Sequence, residues 1–255
     1  MIREAEIKDP KLSVEKIIEI KGLTKSFDQN DILKGVDITV KKGENLVVLG
    51  KSGSGKSVLI KCLIGLMPPD EGEINVFDTN IEGLSNKKLN ELRVRMGFLF
   101  QNAALYDSMT VRENLEFPLK RSSKELSKDE MNKIIVEGLE SVGLADAIDK
   151  MPSELSGGMR KRIGLARTLM LKPEIILYDE PTTGLDTITS REISELIVTI
   201  QKKSKSSAII ITHDMACAKL TADRIVILKD GKIAAEGSYE ELENSKDEWV
   251  RSFFN

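Results

Sequence analysis

The sequence is poor in the features that mark secreted, membrane-spanning or nucleic-acid-binding chains. It has two cysteines, Cys62 and Cys217, far apart and with no C-x-x-C pair. That excludes a disulfide framework and points to a reducing compartment. Net charge is only -3, which argues against a broad nucleic-acid surface, so no nucleic-acid partner is expected. No apolar run approaches the roughly 20 residues that cross a bilayer. Any membrane part of the system is therefore expected on another chain. The start, MIREAEIKDPK, is charged, unlike a signal peptide. There is no internal repeat or low-complexity segment. What remains is a globular balance, 40% hydrophobic and 31% charged over 255 residues. That length suits one large domain, or one domain with an insertion.

Gly50 to Ser57 reads GKSGSGKS and fits G-x-x-x-x-G-K-[ST], the phosphate-binding P-loop. Asn45 to Leu49 (NLVVL) before it reads as a buried strand, and Ser57 to Leu66 after it has helical apolar spacing. Gly50, Gly53 and Gly55 permit backbone angles that let successive N–H groups face one anion. The helix start adds unpaired N–H groups and its positive dipole end. Lys56 is expected to reach the β- and γ-phosphates, and Ser57 to hold Mg²⁺. The candidate nucleotide contacts here are Gly50, Lys51, Ser52, Gly53, Ser54, Gly55, Lys56, Ser57 and Val58.

Along the chain, Met1 to about Lys16 reads as a polar leader. Ile17 to Ile20 opens a strand and Lys21 to Phe27 follows it. Asp28 to Asp31 is a turn, and Ile32 to Val40 alternates as an antiparallel strand. Glu73 to Phe77 and Met96 to Phe100 read as strands, with a helix from Ser85 to Arg93 between them. No strand pattern occurs between Gln101 and Lys172. Thr110 to Leu119 and Lys128 to Val142 have helical periodicity, with Met131, Ile134, Ile135, Leu139 and Val142 on one face. Strand and helix then resume: Glu174 to Tyr178, a helix from Ser190 to Gln201, and a strand from Ala208 to Ile211. Asp230-Gly231 marks a hairpin between Arg224 to Leu228 and Lys232 to Ala235. Glu240 to Asn244 reads as a last short helix. The pattern implies a mostly parallel sheet covered by helices.

Other segments carry chemistry. Ile175 to Glu180 (IILYDE) is an apolar strand ending in two acids. Beside a P-loop, Asp179 suits Mg²⁺ and Glu180 suits orientation or deprotonation of the attacking water. Leu155 to Met159 (LSGGM) precedes a helical run, either as a second anion-binding helix start or as an ordinary N-cap. Gln101 and His213, the only histidine, each follow an apolar strand.

In the order GKSGSGKS, Gln101, LSGGM, IILYDE, His213, the chain resembles the nucleotide-binding subunit of ATP-binding cassette (ABC) proteins over about residues 17–244. The resemblance implies an α/β fold: a P-loop NTPase (RecA-like) core with an N-terminal antiparallel β subdomain. An inserted α-helical subdomain is expected at about 102–172, and a C-terminal extension at 245–255. It implies ATP and Mg²⁺ as ligands, and Phe27 as the adenine-stacking aromatic where many members have tyrosine. Gln101 then touches Mg²⁺ or the attacking water. Ser156, Gly157 and Gly158 cap the γ-phosphate held by another subunit, Thr183 to Asp186 crosses the dimer interface, and His213 contacts the γ-phosphate. Two anion-binding helix ends serve one nucleotide only if copies pack head to tail, so the first expected partner is a second copy.

Three classes follow from these motifs: the motor of a membrane transporter, a soluble ABC ATPase, or a P-loop phosphotransferase. A single cassette with a short insertion favours the transporter, and the phosphotransferase leaves LSGG unexplained. FLFQNAALYDSMTVRENLEFPL and the segments after LSGGM resemble the ATPases of Mla-type, or MCE-type, lipid transport systems, except that Thr187 stands where that group usually has proline. An importer or exporter of another small molecule is the runner-up. Integral membrane permease subunits, MCE-domain and regulatory subunits are the further partners implied, and the location implied is the cytoplasmic face of the cell membrane. In the tail, Trp249, Val250, Phe253 and Phe254 put four large apolar side chains in the last seven residues. Docking on a neighbour is the expectation favoured here over folding back onto the subunit.

Overall fold

The computed structural model describes residues 15–122 and 125–254. The polar leader, residues 1–14, lies outside the described residues.

Two sheets share one core. Strands β1 (Lys16–Phe27), β2 (Asn30–Lys41), β4 (Glu71–Val76) and β5 (Thr79–Asn80) form an antiparallel sheet in the order β2-β1-β4-β5. β1 is one strand where the sequence suggested two. It runs on because register shifts between Ile20 and Thr24 absorb the irregularity, next to Gly22 at φ 58°. The second sheet contains β3 (Asn45–Leu49), β6 (Met96–Leu99), β7 (Ile175–Asp179), β8 (Ser207–Thr212), β9 (Arg224–Lys229) and β10 (Lys232–Gly237). Its order is β10-β9-β3-β8-β7-β6, parallel except for the β9–β10 hairpin. Asp230 and Gly231 both have positive φ, as that two-residue turn requires.

The buried strands divide their residues between two cores. Leu46 and Val48 of β3 join the layer of β1, β2, β4 and helix α1 (Lys56–Leu63). Val47 and Leu49 face the other way, towards helices α6 (Thr187–Ser204) and α7 (Met215–Thr221). β7 repeats this, with Ile175 and Leu177 on one side and Ile176 and Tyr178 on the other. This is the period-2 geometry of a strand buried on both faces.

Helix α2 (Asn86–Val94) precedes β6. Between β6 and β7 the described residues form helices α3 (Val111–Arg121), α4 (Lys128–Ser141) and α5 (Gly157–Leu169) and two short 3₁₀ turns. They hold a separate core of Val111, Leu115, Ile135, Leu139 and Ile163, among others. Thr110–Glu113 and Ser127–Glu130 are reciprocal capping boxes that start α3 and α4. On α4 the expected face is real but graded: Ile135, Leu139 and Val142 are buried, while Met131 and Ile134 are partly covered. α6 starts earlier than the periodicity suggested, because the Asp186 carboxylate caps the N–H groups of Ile188 and Thr189. Thr187 is its first residue, a position where proline's fixed φ and missing N–H cost nothing. The departure at Thr187 is therefore neutral for the fold.

The tail folds back onto its own subunit, the alternative set second to docking on a neighbour. Helix α8 (Tyr239–Glu243) is followed by α9 (Glu248–Arg251), which lies on the chain's own core. Val250 is buried, and Trp249, Phe253 and Phe254 pack partly covered around it. Lys229 Nζ sits 4.0 Å from the Trp249 ring centre, and Phe254 meets Tyr239 edge-on at 5.0 Å. The four apolar side chains thus cover the subunit's own β-sheet face. Val250→Ala is expected to destabilise the purified subunit by about 2 kcal/mol, from two lost methyl groups plus a cavity. Urea unfolding checks this, and an unchanged midpoint would show that the tail's packing contributes nothing to the fold.

Candidate functional site

The parallel strands fix where the chemistry collects. Leu49 pairs with Thr212, Asp179 with Ile211, and Leu99 with Tyr178. The carboxyl ends of β3, β8, β7 and β6 therefore stop at one level, the usual ligand edge of such a sheet. The loops that leave them carry Gly50–Gly55, His213, Glu180 and Gln101.

A cavity of about 630 Å³ opens there, lined by Lys51, Ser52, Gly53, Gly55, Lys56, Ser57 and Val58 with Gln101, Glu180, Thr183 and His213. Ile32 of β2 completes one wall, a residue that the sequence alone did not single out. Gly50 and Ser54 do not line the cavity. Gly55 has φ 105°, and a Cβ there would lie 2.9 Å from Leu33 and 3.0 Å from the Ile32 carbonyl. Only glycine fits both the angle and that space. Ser54 N–H bonds the Lys51 carbonyl and Leu59 N–H bonds that of Gly55. The N–H groups of residues 53 and 55–58 bond no other group among the described residues. They are the open donors of a loop and helix start, the pattern that receives phosphate.

Lys56 is buried, and its Nζ donates to the Gly50 carbonyl at 2.6 Å and the Lys51 carbonyl at 3.2 Å. It lies 3.8 Å from Glu180 Oε1. Burial lowers its pKa, against the pull of Glu180 and Asp179. Glu180 Oε2 accepts from His213 Nδ1 at 2.8 Å and from the Thr183 hydroxyl at 3.2 Å. A carboxylate oxygen only accepts, so the proton sits on Nδ1. Oε1 is left facing Lys56 and the cavity.

Asp179 is held at the tip of β7. Burial raises its pKa first and the neighbouring Glu180 carboxylate adds to that, while Lys56, Lys161 and Lys61 pull it down. Its Oδ1 is buried with no hydrogen-bond partner among the described residues. Asp179 does not itself line the cavity, but an orphaned carboxylate oxygen beside Lys56 fits a hard cation such as Mg²⁺, which takes oxygen ligands.

Other predicted residues lie apart. Ser156, Gly157, Gly158 and Asp186 do not line this cavity. Ser156 caps α5 through the Met159 N–H, and Gly157 and Gly158 are its first two residues. A Cβ on Gly158 would meet Thr189 at 2.6 Å, so glycine here allows α5 to abut the start of α6. Phe27 is exposed at the end of β1 and does not line the cavity.

One face of α5 was missed. Lys161 Nζ donates to the Gln101 and Glu180 carbonyls, Arg167 to those of Ala103 and Ala104, and Thr168 to that of Phe98. These residues recur at helical spacing and hold the loop that leaves β6. In sequence, RKR reads as a solvated basic face, yet Lys161 within it is buried. Burial pushes the Lys161 amine down to about 8.

A family model described as ABC transporter matches residues 33–183. The chain is 41% identical, over 97% of its length, to the probable ribonucleotide transport ATP-binding protein mkl of Mycobacterium leprae, of which it covers 71%. It covers 66% of the Mycobacterium tuberculosis counterpart. It is 38% identical, over 94% of its length, to the intermembrane phospholipid transport system ATP-binding protein MlaF of Haemophilus influenzae, covering 90% of that protein. The dimeric post-hydrolysis structure of the ATP-binding cassette MJ0796 bound to ADP and Pi matches with a TM-score of 0.80 at 32% identity. That match covers 87% of this chain and 98% of the other.

Lys56→Ala is expected to weaken nucleotide binding by roughly 10–100-fold, the equivalent of a lost charge-assisted bond of about 1.5–3 kcal/mol. Titration with a fluorescent ATP analogue measures it, and unchanged affinity would contradict the assignment of this cavity.

Proposed function

The chain belongs to the ABC transporter family, and from that premise we propose that it is the ATPase subunit of an Mla-type lipid transport system. The observation that carries the enzymatic part is the Glu180 carboxylate, pinned between His213 and Lys56 in the mouth of the P-loop cavity.

The residues divide the work. The open N–H groups of residues 53 and 55–58 and the start of α1 receive the phosphates of ATP. Lys56 exchanges its contacts with the Gly50 and Lys51 carbonyls for the β- and γ-phosphates. Ser57, Asp179 and Gln101 are the side chains that would hold Mg²⁺, which would neutralise phosphate charge when bound. Glu180 Oε1 takes the proton of the attacking water, while Oε2 stays tied to His213 and Thr183. His213 is exposed and keeps its other ring nitrogen towards the reacting phosphate. Phe27 stacks on adenine from the edge of β1.

This cavity lacks the helix start at Ser156, Gly157 and Gly158. A second copy packed head to tail brings that end of α5, with its dipole and open N–H groups, over the γ-phosphate. The loop from Thr183 to Asp186 then lies at the interface. ATP favours the closed pair, and hydrolysis removes the phosphate that joins its halves. Among the described residues no helix is long and apolar enough to cross a membrane. The proposed system adds permease subunits, with this subunit on their cytoplasmic side. Likeness to MlaF over 90% of that protein supports lipid as the cargo. Likeness to mkl supports the second reading, transport of another small molecule.

Affinity purification of the tagged chain from membranes distinguishes the two. The Mla-type reading expects a permease together with an MCE-domain protein. Recovery of a permease with a different substrate-binding subunit, or of a soluble scaffold alone, contradicts it.

A further inference from the structure

Helix α5 carries a buried amine that the reading above leaves without a role. Lys161 is 5% exposed. Its Nζ donates to two main-chain carbonyls, that of Gln101 and that of Glu180, the latter at 3.0 Å. These residues follow the paired strands β6 and β7, so one side chain ties together the loops that leave two neighbouring strand tips. Glu180 sits at φ 50°, a left-handed backbone that a non-glycine residue holds only when its surroundings fix it. Its N–H is fixed by the Ile211 carbonyl at 2.9 Å, and its C=O by Lys161. The direction of the Glu180 carboxylate follows from that backbone. Arg162 pairs with Glu192 at 2.6 Å and Arg160 bonds the Leu155 carbonyl at 2.9 Å, so α5 has anchors of its own.

We propose that Lys161 is a positioning residue for hydrolysis: by holding the Gln101 and Glu180 carbonyls it aims both side chains at the reacting phosphate. The inference rests on Glu180 acting as the base. It also makes the two strand tips answer to α5, whose first turn carries Gly157 and Gly158.

The test compares ATP affinity, kcat, KM and melting temperature of the purified chain with those of Lys161→Met, Lys161→Arg, Glu180→Gln and the double variant Lys161→Met/Glu180→Gln. Lys161→Met keeps the length and loses the donor. It is expected to lower kcat by about tenfold or more, since small misplacements of catalytic groups cost that much. ATP affinity and melting temperature are expected to stay near those of the unaltered chain. Lys161→Arg restores part of kcat, because a guanidinium also donates to carbonyls. The double variant is no slower than Glu180→Gln alone, because the lysine acts through that residue.

Unchanged kcat in Lys161→Met beside an inactive Glu180→Gln overturns the inference and leaves the base assignment standing. An active Glu180→Gln overturns the base assignment and the inference with it. Parallel losses of kcat and melting temperature make Lys161 a fold staple and also overturn it. If Lys161→Met does not fold, Lys161→Gln takes its place with the same expectations, and failure of both to fold counts against the inference.

Discussion

The structure depends on four parallel strands ending at one level. β3 delivers the glycine loop, β8 His213, β7 Asp179 and Glu180, and β6 Gln101, and the pairing register leaves none of them displaced. Two buried lysines, Lys56 and Lys161, lie near the two acids at the tip of β7. The charges set the chemistry. Asp179 keeps an oxygen that no group among the described residues satisfies, and Glu180 keeps one oxygen facing the cavity.

The helical segment is more than a decoration on this core. It has its own hydrophobic cluster, yet α5 reaches back with Lys161, Arg167 and Thr168 to hold the backbone that leaves β6. The start of the same helix, capped by Ser156, does not line the chain's own phosphate-loop cavity. One rigid element thus links the local reaction centre to the surface that, in the proposed pair, meets the neighbour's nucleotide.

Much of this was legible in the sequence because local chemistry and global fold agree. NLVVL before GKSGSGKS is apolar on both faces and then needs glycine. T-x-x-E and S-x-x-E open α3 and α4 as capping boxes, and Asp230-Gly231 closes its hairpin. The misses have physical causes as well. β1 runs through bulges that interrupt its alternation. α6 starts on a side-chain cap, which periodicity does not register. Lys161 reads as a surface charge because its partners are carbonyls distant in sequence. The tail's apolar residues looked like a docking surface because nothing local in the sequence shows that β9 and β10 need covering.

The central claim is that one nucleotide is held by the P-loop of one copy and the α5 start of another. Two variants separate these halves: Lys56→Ala disables the loop and Ser156→Arg blocks the helix start. Each alone should be inactive in ATP hydrolysis. Mixed in equal amounts, they can form a pair in which an intact Lys56 of one copy faces an intact Ser156 of the other. The account predicts that ATPase activity returns on mixing. No recovery, with both variants folded and the Ser156→Arg chain still binding ATP, would contradict the shared site.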